Sequence, residues 1–185
     1  MNLPNRITLI RIAAAPLLLV VLKLQDPMMQ WVSAVIFILA SLTDLLDGYL
    51  ARSRNAITDL GKFIDPIADK LLITAAMIVL VGQGRMEDWA LALFIAREFI
   101  ISAYRMVSAS RGTVIAADRW GKYKTLAQTV AVPMIILLKP FDGNSALLGE
   151  TGIIIADVFT YIALALSVYS CVNYILANKD ILRSE

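Results

Sequence analysis

Six apolar stretches, each near the length of a membrane crossing, dominate this sequence and leave it few other ways to fold. They run from Ile7 to Leu24, Trp31 to Ala51, Phe63 to Val81, Trp89 to Ala109, Thr125 to Leu138 and Gly152 to Ala177. A transmembrane helix needs about 20 apolar residues. Backbone polar groups in lipid must be satisfied within the segment, which a helix achieves. The fifth stretch is short and is extended back to Gly121. The expected fold is an all-α integral membrane protein of six transmembrane helices, forming a single catalytic domain over residues 1–185. Of the residues, 59% are hydrophobic, against about 45–50% in soluble domains, which excludes a typical soluble globular protein. The first stretch carries Arg11 and no small-residue cleavage site follows it, so it is expected to stay in the mature protein.

The sequence has no histidine, so any acid–base or metal chemistry must use carboxylates. The lone cysteine, Cys171, excludes an intrachain disulfide and reads as a small buried hydrophobe. A net charge of +2 gives no reason to expect a nucleic-acid partner. Where the charges sit matters more. With alternating helices, Arg6, Arg11, Arg52, Arg54, Lys62, Arg105, Arg111, Arg119, Lys122, Lys124, Lys179 and Arg183 fall on one side, and only Lys23, Arg85 and Lys139 on the other. That bias predicts both termini on the cytoplasmic side.

Topology does not explain charges inside the apolar stretches, where each costs about 2.5–3.5 kcal/mol and is by default a functional-site hypothesis. Nearly all of Arg11, Asp44, Asp47, Asp65, Asp69, Lys70, Arg97, Glu98 and Arg105 fall in the cytoplasmic half, which predicts a polar cavity open to that side. Asp157, alone toward the opposite side, reads as a helix-end or packing residue. On helices, Asp44 and Asp47 lie one turn apart on one face, as do Asp65 and Asp69. Four such carboxylates in a low-dielectric site either protonate or gather cations. Oxygen-only ligands select hard ions such as Mg²⁺, Mn²⁺ or Ca²⁺. Two bridged metals are a known device for displacement at phosphorus. Gly48 and Gly61, each one turn from an aspartate, leave room for a ligand to approach the backbone. Pro66, early in its helix, reads as structural. A divalent-cation transporter could use the same aspartates, but would hold them near the bilayer midplane. Here they lie about 6–10 Å from the predicted helix ends, at 1.5 Å per residue.

The residues Asp44, Asp47, Gly48, Ala51, Arg52, Gly61, Asp65 and Asp69 match the whole pattern D-x2-D-G-x2-A-R-x8-G-x3-D-x3-D. In this the chain resembles the CDP-alcohol phosphotransferase family. The resemblance implies six transmembrane helices, a homodimer, and transfer of a phosphatidyl group from a CDP-linked lipid to an alcohol with release of CMP. It implies that Asp44, Asp47, Asp65 and Asp69 hold two divalent cations, Mg²⁺ or Mn²⁺. It further implies that Asp69 is the general base, and that Gly48, Arg52 and Gly61 line the CDP pocket with Asp44, Asp47 and Asp65.

The segments NLPNRITLIRI, GKFIDPIADKLL, IAREFIISAYR and GKYKTLAQ are similar to the bacterial branch of that family that joins CDP-diacylglycerol to glycerol 3-phosphate at the cytoplasmic membrane. Acceptors such as inositol phosphate, serine or phosphatidylglycerol are used on the same fold. A phosphorylated acceptor needs fixed cations, with arginine suited to bidentate contact and lysine to point-charge contact. The candidates are Arg11, Arg105, Lys122 and Lys124, with Asn5, Thr8 and Thr125 as hydrogen-bonding partners. Arg97 and Glu98 lie deeper and are expected to orient the site or pair with neighbours.

Overall fold

The computed structural model describes residues 3–24, 26–53, 59–112, 119–139, 141 and 147–179. Side chains are described at 9–24, 26–43, 67, 70–112, 119–139, 141 and 147–179. These residues form six helices and no strand: α1 (Leu3–Lys23), α2 (Pro27–Ser53), α3 (Asp59–Gly82), α4 (Asp88–Ser110), α5 (Arg119–Leu138) and α6 (Gly149–Ala177).

Each helix covers one apolar stretch and continues into polar sequence beyond it. The start of α2 shows why. The Asp26 carboxylate accepts from the Met28 and Met29 amides at 2.9 and 3.1 Å, satisfying orphan donors of the first turn, and Pro27 fits the first helical position. The helix therefore begins before Trp31. Likewise α5 begins at Arg119, before the expected Gly121. By length and composition alone, α6 is the helix among the described residues that is long and apolar enough to cross a membrane. Among the described residues, Pro27–Thr43 of α2 and Lys70–Gly82 of α3 are shorter apolar runs.

In space the helices follow the cyclic order α1, α2, α5, α6, α4, α3, with α3 also touching α5 across the ring. Small and polar residues share the interior with large apolar ones: Ala15, Ala34, Ala76, Ala131, Ala156, Ala163, Ser33 and Ser167 are buried beside Leu18, Phe37, Leu80 and Ile135. Large apolar side chains such as Ile10, Met28, Phe99, Met106 and Leu176 face outward. That arrangement suits helices packed in lipid, where small residues allow close backbone approach. On α6 the stripe Gly152, Ala156, Thr160, Ala163, Ser167, Ser170 and Tyr174 is buried. At Gly152, a Cβ would lie 3.1 Å from the Leu148 side chain. Hydroxyls in the apolar helices bond back to carbonyls one turn earlier, as Ser33 does to Met29 at 2.7 Å and Thr160 to Ala156 at 2.7 Å.

One end of the bundle is locked by Arg85. Gly84, at φ +67°, takes the left-handed conformation that ends α3, with the Arg85 amide bonded to the Leu80 carbonyl and the Gly84 amide to Val81. The reversal turns the Arg85 side chain inward, where it is 2% exposed. Its guanidinium donates to the Ile135 and Lys139 carbonyls at 2.7 and 2.8 Å and also to Ile136, closing the C-terminus of α5. It lies 5.4 Å from the Phe141 ring centre. Burial pushes its pKa down to about 10, so it stays charged at neutral pH. Beside it, the Gln83 amide donates to the Leu22 carbonyl at the end of α1 at 2.8 Å. Lys139 pairs with Asp157 at 2.5 Å, tying the end of α5 to α6.

Candidate active site

The aspartate pattern falls at the opposite end, where α2 finishes and α3 begins. The backbone positions of Asp44, Asp47, Gly48 and Arg52 lie in the last turns of α2, and those of Gly61, Asp65 and Asp69 in the first turns of α3. Their side chains lie outside the described residues, as do those of Asn5 and Thr8. Because both helices run beyond their apolar stretches, these positions lie further from the helix ends than the sequence implied. Asp47 and Asp65 are about 9 Å along the helix from Ser53 and Asp59, and Asp44 and Asp69 about 14–15 Å, at 1.5 Å per residue. The donor set consists of carboxylates one turn apart on both helices, with no nitrogen or sulfur ligand in the pattern. That chemistry fits a hard divalent cation.

Across the ring, Glu98 of α4 gathers cations from three helices. One carboxylate oxygen, Oε1, accepts from Lys124 of α5 and from Arg97 Nη1 at 3.0 Å. The other, Oε2, lies 3.5 Å from Lys70 of α3. Two of the cations have a second, neutral partner: Arg97 Nη2 donates to Ser170 Oγ of α6 at 2.7 Å, and Lys70 to Ser102 Oγ at 2.6 Å. Gly121 leaves room for the Arg97 side chain, since a Cβ there would sit 3.2 Å from Nη2. Exposure rises steadily through the cluster, from 5% for the Lys124 side chain through 21% for Glu98 to 43% for Lys70. The open edge is therefore the α3 edge, and Lys70 directly follows Asp69.

The four cations expected to bind the acceptor are placed differently from one another. Lys124 is buried in the Glu98 cluster. Arg11 is buried on α1, which packs on both aspartate helices. Arg105 is exposed, with its guanidinium 5.9 Å from the Tyr174 ring centre, and Tyr104 meets the same ring edge-on at 6.3 Å. Lys122 and Thr125 are exposed on the first turns of α5. The sequence marked Arg97 and Glu98 as charges in an apolar stretch but did not reveal that Lys70 and Lys124 meet there. Serines 102 and 170 carried no signal in the sequence.

A helical bundle with apolar exterior, two turn-spaced aspartate pairs at one end and a cationic interior beside them is the architecture of a membrane-associated group transferase. Residues 1–169 match the model of the CDP-alcohol phosphatidyltransferase family, and the chain belongs to that family. Among its relatives is a Bacillus subtilis protein, 40% identical over 175 residues covering 88% of this chain and 91% of its own. A Rickettsia bellii protein is 33% identical over 178 residues, covering 96% of each chain. One from Haemophilus influenzae is 33% identical over 183 residues, covering 96% of this chain and 94% of its own. All three are named CDP-diacylglycerol–glycerol-3-phosphate 3-phosphatidyltransferase.

Proposed function

We propose that this protein transfers the phosphatidyl group of CDP-diacylglycerol to glycerol 3-phosphate, forming phosphatidylglycerophosphate and releasing CMP. The observation that carries the reading is the complete aspartate pattern, its two pairs one turn apart on α2 and α3, in a chain that relatives of that name match along most of its length. The chain acts as a single domain whose six helices cross the cytoplasmic membrane of a bacterium. Both termini and the aspartate end face the cytoplasm, where glycerol 3-phosphate is dissolved, and two copies form a homodimer.

Asp44, Asp47, Asp65 and Asp69 would hold two divalent cations, Mg²⁺ or Mn²⁺. When bound, these supply charge neutralisation at the diphosphate and acidify the acceptor hydroxyl. Gly48, Arg52 and Gly61, with Asp44, Asp47 and Asp65, receive the CDP group. Asp69 accepts the proton of the acceptor hydroxyl, whose oxygen bonds to the phosphorus bearing diacylglycerol as the bond to the CMP oxygen breaks. Arg11, Arg105, Lys122 and Lys124 hold the acceptor phosphate. Arginine and lysine recognise a phosphate dianion far better than a neutral polyol or a zwitterion, which favours glycerol 3-phosphate over serine.

The test is CMP release by the purified protein with CDP-diacylglycerol and each acceptor in turn. Glycerol 3-phosphate should give the highest turnover. Greater turnover with serine, inositol phosphate or phosphatidylglycerol overturns the assignment.

A further inference from the structure

Among the described residues, the Glu98 cluster sets three cations against one carboxylate. A buried ion pair needs one cation for one carboxylate, and unbalanced buried charge is costly. Here a single carboxylate faces the buried Lys124, the largely buried Arg97 and the part-exposed Lys70, leaving one largely buried and one exposed positive charge in excess among the described residues. Arg97 Nε is a further buried donor with no partner among them. The hydrogen bonds to Ser102 and Ser170 fix two of the cations from behind. Among the described residues the cluster is thus pre-organised with an excess of positive charge, which suits a dianion.

We propose that Glu98 is a positioning residue for the acceptor, holding Lys70 and Lys124 from α3 and α5 in one cluster that a phosphate monoester dianion completes. This rests on the reading of glycerol 3-phosphate as acceptor and deepens it by naming what assembles its phosphate site. Without Glu98, ammonium groups on separate helices would repel each other and turn apart. With it, an incoming phosphate meets them already gathered, so less ordering remains to be done on binding. The gradient of exposure gives a direction: the dianion reaches the cluster at its open Lys70 edge, beside the α3 segment that carries Asp65 and Asp69. Glu98 itself touches no reacting atom. Its effect belongs in acceptor affinity and not in the chemical step.

The experiment is steady-state kinetics of the full-length protein in mixed micelles, varying glycerol 3-phosphate and CDP-diacylglycerol separately. Glu98→Gln keeps the shape and removes the charge. It should raise KM for glycerol 3-phosphate about tenfold or more, the size of one lost charge-assisted contact, with kcat and KM for CDP-diacylglycerol within about twofold. An unchanged or lower acceptor KM, or equal damage to donor KM, overturns the proposal. Lys124→Met supplies a second measurement. Because the Lys124→Met/Glu98→Gln double variant removes one charge of each sign, it keeps the net charge of the cluster even if the single Glu98 variant does not fold. With only Lys70 left for Glu98 to hold, the double variant's acceptor KM should exceed that of Lys124→Met alone by less than the roughly tenfold rise expected of Glu98→Gln in the wild-type background; a rise of that full size means Glu98 acts by another route and sinks the idea. Wild-type protein that does not use glycerol 3-phosphate refutes the functional reading itself, whereas normal wild-type use with an unmoved KM in the variants refutes only the role of Glu98.

Discussion

Arg85 Nη1 donates to the side-chain oxygen of Gln30 at 2.7 Å, joining the α3–α4 turn to the first turn of α2. The same guanidinium closes the C-terminus of α5, so three helix ends meet at one side chain. It lies at the end of the bundle away from the aspartates and has no part in the site. Arg85→Ala leaves Gln30 and several buried carbonyls without their donor, and should cost on the order of 3 kcal/mol or more. Arg85→Lys, with one compact donor group, should fall in between. Thermal unfolding in detergent measures both. The folded fraction of either variant should keep wild-type KM values for donor and acceptor.

A second prediction concerns metal. With an oxygen-only donor set, activity should disappear on chelation and return with added Mg²⁺ or Mn²⁺. Asp44→Asn and Asp65→Asn should each lower turnover by two orders of magnitude or more, roughly the loss of a polarising charge worth several kcal/mol, with unchanged helical content by circular dichroism. Full activity in excess chelator sinks the metal reading.

Donor and acceptor sites should separate in a third set of variants. Arg105 and Lys122 are exposed near the ends of α4 and α5, and of the two Arg105 also covers the buried Tyr174 ring. Replacing either by alanine should weaken acceptor use by about 1.5–3 kcal/mol, one charge-assisted contact, and leave CDP-diacylglycerol binding nearly intact. Equal loss of donor binding moves the residue out of the acceptor pocket.

These residues also mark how far the sequence could be read. Six helices were legible because an apolar run of membrane length has few other solutions; which face of α6 would be buried was not, since Ser167 and Ser170 lie in a run that is apolar throughout. Helix ends were less legible. Apolarity fades before backbone hydrogen bonding does, so α5 reaches back to Arg119 through Lys122 and Lys124, and Asp44 and Asp69 lie further from their helix ends than the apolar limits implied. The aspartate pattern was legible because its spacing is local. The partners of Glu98 were not. Lys70, Glu98 and Lys124 lie on three helices, and only the packing of α3 against α4, and against α5 across the ring, brings them together.

The last prediction concerns the chemical step. If the acceptor hydroxyl attacks the phosphorus directly, no covalent intermediate forms and donor and acceptor must be bound together. Asp69, one turn beyond Asp65 on α3, is the carboxylate assigned to take the hydroxyl proton. A base must lie within hydrogen-bond reach of that proton, and a carboxylate held ionised by neighbouring cations is a weak one. Asp69→Asn should therefore abolish turnover while leaving CDP-diacylglycerol bound. A single in-line displacement inverts configuration at phosphorus, so a donor chirally labelled at that atom should give inverted product. The protein should also fail to exchange labelled CMP into CDP-diacylglycerol when no acceptor is present. Retained configuration, or exchange without acceptor, would require a phosphatidyl-enzyme intermediate and would make one of the four aspartates a nucleophile.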